Sequence, residues 1–118
     1  MSIDAFETHS LDGVALYVQL VHIIWHTMAF EWDAWKAETN YEKHGIRFSE
    51  SLPVFEDDFA LTIMDVESDP DEQRFVSIGM GAKGIILVVA YCYRGESIRI
   101  ISARAAEAHE RNQYEELR

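Results

Sequence analysis

The sequence is short of bases, cysteine, proline and long apolar runs, and each shortage excludes something. One cysteine, Cys92, cannot close an internal disulfide. Its apolar surroundings suit a buried, inert thiol in a reducing compartment. No stretch of about 18 apolar residues occurs, so no membrane-spanning helix is expected. No Lys or Arg precedes Lys36, whereas a secretory signal starts with positive charge; the chain reads as cytoplasmic. Ten Lys and Arg stand against 21 Asp and Glu, a formal charge of −11. Such a field repels nucleic acid and favours a basic partner, which excludes a non-specific nucleic-acid binder but leaves room for a local basic site. Gly79, Gly81 and Gly84 surround Lys83, yet no helix with Lys-Ser/Thr follows, so they do not form a phosphate loop.

What is present is enough for one domain: 118 residues, 48% of them hydrophobic. Residues 1–27 read as an extension and 28–118 as the domain proper. In the extension, Leu11, Val14, Ala15, Val18, Val21 and Trp25 follow helical spacing behind a Ser10 N-cap. His22 and His26 have metal-ligand spacing, but no Glu or second pair completes a site. Met28 is a candidate native start, with 1–27 as an upstream in-frame extension; the other reading is an amphipathic helix covering an apolar surface.

From there the pattern predicts a strand at Ala29–Trp32, a helix from Ala34 to Lys43 between an Asp33 N-cap and a Gly45 C-cap, and a short helix over Ser49–Phe55. Strands follow at Ala60–Met64, Arg74–Met80, Ile85–Tyr93 and Ser97–Arg104, then a helix at Ala105–Leu117 with a Glu107–Arg111 pair and a thin apolar face. Asp65–Gln73 reads as a solvated acidic loop; it lacks the glycine and final glutamate of an EF-hand calcium loop. The order β-α-α-β-β-β-β-α predicts an α+β fold: an antiparallel sheet packed with helices, preceded by an extra N-terminal helix.

Ser97–Arg104 organises this plan. Strict alternation puts Ile98, Ile100, Ser102 and Arg104 on one face and Ser97, Arg99, Ile101 and Ala103 on the other. Isoleucine on both faces predicts a strand covered on both sides. Arg104 at its end suits a phosphate or carboxylate, and a salt bridge to one of the many acids is the plainer reading.

Phe30-Glu31-Trp32-Asp33, Asn40-Tyr41-Glu42-Lys43-His44-Gly45, Phe48, Val54-Phe55, Arg74-Phe75, Ile78-Gly79, Val88-Val89, Arg99-Ile100-Ile101-Ser102-Ala103-Arg104, Glu110-Arg111 and Tyr114-Glu115 together resemble the BrnT family. The resemblance runs from Met28 to about Glu116. It implies a RelE-like ribonuclease toxin of a type II toxin–antitoxin system, one that blocks translation by cleaving RNA. It also implies a BrnA-like antitoxin with a ribbon-helix-helix domain, operator DNA bound only through that antitoxin, and a heterotetramer built as a dimer of heterodimers.

Ribonucleases of this class use neither metal nor cofactor. The 2′-hydroxyl attacks phosphorus and the 5′-oxygen leaves, so the site needs a base, an acid and cations for the phosphorane. Lys43, His44, Arg74 and Arg104 are the candidate catalytic residues. Imidazole is the side chain suited as a type to proton transfer near neutrality; the plain alternative for His44 is a helix-end residue packed on the sheet. Arg99, Lys36 and Trp32 are the candidate RNA contacts. Trp32 and Trp35 can each stack a base, though core packing is the ordinary use of tryptophan. Without residues 1–27 the chain still has ten bases against eighteen acids, a formal −8. That acidity keeps a second reading open: a degenerate, non-enzymatic protein-interaction module. No helix is basic enough to read DNA.

Overall fold

A computed structural model describes residues 29–116. The expected N-terminal helix, the His22–His26 pair and the Met28 start all lie outside the described residues. The elements are β1 (Ala29–Glu31), α1 (Ala34–His44), a 3-10 helix (Phe48–Glu56), β2 (Leu61–Asp65), β3 (Arg74–Met80), β4 (Ile86–Arg94), β5 (Ser97–Ala105) and α2 (Ala108–Glu115). This is the α+β order read from the sequence.

Local chemistry explains the boundaries. The Asp33 carboxylate accepts the Lys36 N–H at 2.9 Å and starts α1. Gly45, at φ 72°, closes the helix and donates to the Tyr41 carbonyl at 2.7 Å. The next helix is 3-10 rather than α: Pro53 sits inside it without an N–H to give, and the Ser51 hydroxyl binds the Phe48 carbonyl at 2.6 Å. Gly95, at φ 60°, turns β4 into β5.

The five strands stand in the order β1-β5-β4-β3-β2. β2 through β5 pair antiparallel, while β1 pairs with β5 in parallel, so the sheet is mixed at one edge. Everything from α1 to β4 lies between β1 and β5 in the chain, which is the long crossover a parallel pair requires.

Each face has its own core. On the first, α1 and the 3-10 helix cover Leu87, Val89, Tyr91, Ile98, Ile100 and Ala103, with Phe48 and Val54 between. On the second, α2 lays Tyr114, only 1% exposed, against Ile86 and Val88. Strict alternation fails in β5. Ala90 pairs with Ser102 and Tyr91 with Ile100, so Ile101 is a bulge. The extra residue resets the faces: Ile98, Ile100 and Ala103 point into the first core, and Arg104 joins Arg99 on the second face instead of sharing a face with Ile98 and Ile100.

The last helix starts later than the sequence suggests. Ala105 still pairs with Leu87, and the Ala106 N–H donates to the Ile86 carbonyl at 2.9 Å. These ladder bonds extend the strand, and the helix begins behind Glu107, whose N–H is capped by the Glu110 carboxylate at 2.8 Å. Arg111 binds the Ala106 carbonyl and forms no ion pair with Glu107. The thin apolar face is compensated by polar fastening: the Tyr114 hydroxyl donates to Asp57 at 2.6 Å. Among the described residues, no helix is long and apolar enough to cross a membrane.

Candidate RNA-binding groove

β1 is short, so it pairs with β5 only as far as Arg99. Beyond that point the edge of β5 has no neighbouring strand among the described residues, and α1 packs beside it. Asn40, a buried polar residue on an otherwise polar helix, does the joining. Its amide donates to the Ala103 carbonyl at 2.8 Å and to the Ile46 carbonyl at 3.0 Å, and accepts the Ala103 N–H at 3.1 Å. The side chain thus stands in for a missing neighbouring strand.

Between α1 and this edge lies an open groove of about 360 Å³. Trp35, Lys36, Lys43 and His44 form its helical wall, and Thr39 and Asn40 lie between them on the same stripe. Ile101 and Ser102, the bulge pair, form the sheet wall. Lys43 lies seven positions after Lys36, about 10 Å along the helix. Trp35 is 79% exposed. Lys43 and His44 occupy the last turn of α1, where cations complement the helix dipole. In a chain of formal charge −11, this stripe gathers two lysines and a histidine, while Glu38 lines a separate, smaller cavity.

The structure therefore brings together Lys36, Lys43 and His44 of the residues singled out from the sequence. Trp32 stands elsewhere. It packs edge-on against Phe48, ring centroids 6.0 Å apart, and borders that second cavity of about 130 Å³. Arg104 is two residues beyond Ser102 on β5, and its guanidinium forks onto Glu110 with two bonds of 2.8 Å. Glu110 also caps α2, so one carboxylate joins helix start and strand end. The paired arginine holds its carboxyl down at about 2, and the carboxylate raises the arginine further. Arg99 is likewise paired, with Glu31 at 2.8 Å.

Arg74 is exposed and forms no ion pair with any described residue. It shares a row with Cys92 and Arg99 across the sheet. Strand spacing and rise put its backbone roughly 16 Å from that of Arg104, so these two arginines do not share one phosphate. Sequence reasoning missed Ser102, Thr39 and Asn40. The visible signal was an asparagine inside a helix, a position where that residue usually has a specific partner.

No curated protein matches the chain. The family model for the ribonuclease toxin BrnT of type II toxin–antitoxin systems matches residues 32–110. Among solved structures, the crystal structure of the Brucella abortus ribonuclease toxin BrnT is similar. It is 30% identical, covers 69% of this chain and 99% of its own, and superposes with a TM-score of 0.55. The matched span takes in both walls of the groove, and the α+β, RelE-like architecture expected from the resemblance is the one observed. The chain belongs to the BrnT family of ribonuclease toxins of type II toxin–antitoxin systems.

Proposed function

We propose that this chain is an active, metal-independent endoribonuclease that halts translation, and that the groove between α1 and the β5 edge is where it cuts. The observation that carries this reading is the cationic stripe of α1, Lys36, Lys43 and His44, facing Ser102 beside an exposed Trp35. Single-stranded RNA needs a charged track for phosphates and an aromatic surface for a base. His44 takes the proton of the 2′-hydroxyl or returns one to the leaving 5′-oxygen. Lys43 neutralises the phosphorane, and Lys36 holds the next phosphate. Trp35 takes the stacking role and Trp32 supports the wall from the core. Arg74 and Arg99 contact RNA that leaves the groove across the second face. Arg104 acts through the N–H groups that Glu110 does not use.

The partner is a BrnA-like antitoxin, which neutralises the toxin in a heterotetramer and carries the operator-binding ribbon-helix-helix domain. Growth on induction of the full chain without antitoxin tests the reading. Arrest that His44→Ala and Lys43→Ala relieve at equal protein level supports it; arrest that neither relieves sinks this site.

One observation favours a second reading. Arg104 and Arg99, the strongest phosphate ligands on β5, already hold carboxylates. A module that binds its partner and cuts nothing would look the same. Soluble, folded chain that causes no arrest and leaves RNA intact would establish that alternative.

A further inference from the structure

The far edge of the sheet presents a different surface, independent of RNA cleavage. β2 is the outer strand beside β3, and its other side pairs with nothing among the described residues. Alternate residues of such a strand direct N–H and C=O groups outward. Proteins usually blunt an edge of this kind with lysine, proline or a bulge. Leu61-Thr62-Ile63-Met64-Asp65 has none of the three. Its apolar side chains are instead open to solvent on both faces: Ile63 is 65% exposed and Met64 55%. Phe59 and Val66, flanking the strand, are 46% and 86% exposed.

The charge beside this edge is mostly acidic; the cations nearby are Arg74, opposite Asp65 on β3, and Arg94, which is paired with Glu72. The loop after β2 carries Glu67, Asp69, Asp71 and Glu72. Only Glu72 is paired, with Arg94 at 2.8 Å; the other three form no ion pair with any described residue. An acidic flank repels nucleic acid and a second copy of the same edge, and attracts a basic segment.

We propose that the β2 edge is a docking site for an extended, basic segment of a partner protein, which adds a strand to the sheet. Main-chain bonds to β2 supply the register, apolar side chains cover Ile63 and Met64, and Lys or Arg at one end meets the 67–71 acids.

The test uses the full chain and two synthetic peptides of alternating valine and threonine, one ending in lysines and one in glutamates. The lysine peptide binds, and amide hydrogen exchange slows at residues 61–65 and not at β1. Ile63→Lys weakens binding about tenfold or more, because the apolar contact is lost. Glu67→Lys with Asp71→Lys weakens it in dilute salt and much less in concentrated salt. Ile63 and these acids are exposed, so the variants fold, which circular dichroism checks. Equal binding of both peptides, no binding of either, or protection away from β2 overturns the proposal. So does concentration-dependent self-association that Ile63→Lys abolishes, which would assign the edge to a second copy.

Discussion

Arg104 has two suitors, a phosphate and a carboxylate, and the carboxylate of Glu110 is already in place at 2.8 Å. Its effect on stability follows from the sign of the shift. Glu110 is held at about 2, below the ordinary 4.5. The stability it contributes is therefore complete above about pH 4.5 and is lost as pH falls through about 2. The guanidinium is partly exposed, so screening reduces the coupling to about 1 kcal/mol. A double-mutant cycle with Arg104→Ala and Glu110→Ala, read by urea melts at pH 7, should return that coupling, and Glu110→Gln should remove the acid-side loss. The two tryptophans make a second contrast. Trp35→Ala leaves the melting temperature unchanged and weakens RNA binding by about tenfold or more, the usual loss of one stacked base. Trp32→Ala removes the edge-on contact to Phe48 and costs about 2 kcal/mol of stability. Thermal melts and fluorescence binding on the same preparations separate the two roles.

At the scale of elements, and among the described residues, one side chain, Asn40, hydrogen-bonds α1 to β5. Asn40→Ala leaves the Ala103 N–H and two carbonyls without their partner. The expected loss is about 2–3 kcal/mol, with faster amide exchange at Ala103. Asn40→Asp keeps the acceptor but turns a second oxygen onto the carbonyls of Ile46 and Ala103, and should be no better. Most of this scaffold is legible in the sequence alone. Asp33 and Gly45 bracket α1 by cap chemistry, and Arg74–Met80 and the Arg94–Ser97 turn stand where alternation and glycine put them. What is not legible depends on residues distant in sequence. The Ile101 bulge changes which face Arg104 occupies, yet Ile100-Ile101 looks like any other apolar pair. The parallel pairing of β1 has no local signature, because alternation is the same in either direction. In the site, Lys36, Lys43 and His44 are legible from helical spacing. Ser102 is not, since only the open edge of β5 brings it to α1.

At the scale of the molecule, net charge and local charge oppose each other. On the proposed function, a chain of formal −11 meets a polyanion through the few cations of one groove. Few phosphate contacts release few counterions. For an RNA short enough to stay within the groove, the logarithm of affinity should fall with the logarithm of salt at a slope of about −2, as for about three contacts to a single strand. A slope of about −5 or steeper would require a wider cationic surface, including Arg74 and Arg99. Metal-free cutting that depends on His44 is tested directly by one measurement: cleavage of a defined RNA by the purified full chain in excess EDTA. It is followed beside His44→Ala and beside the same RNA with 2′-deoxyribose at the cut position. Cutting should persist in EDTA, fall by about 100-fold or more with His44→Ala, and vanish without the 2′-hydroxyl. Cleavage that needs added metal, survives the deoxy substitution or ignores the loss of His44 would contradict the account.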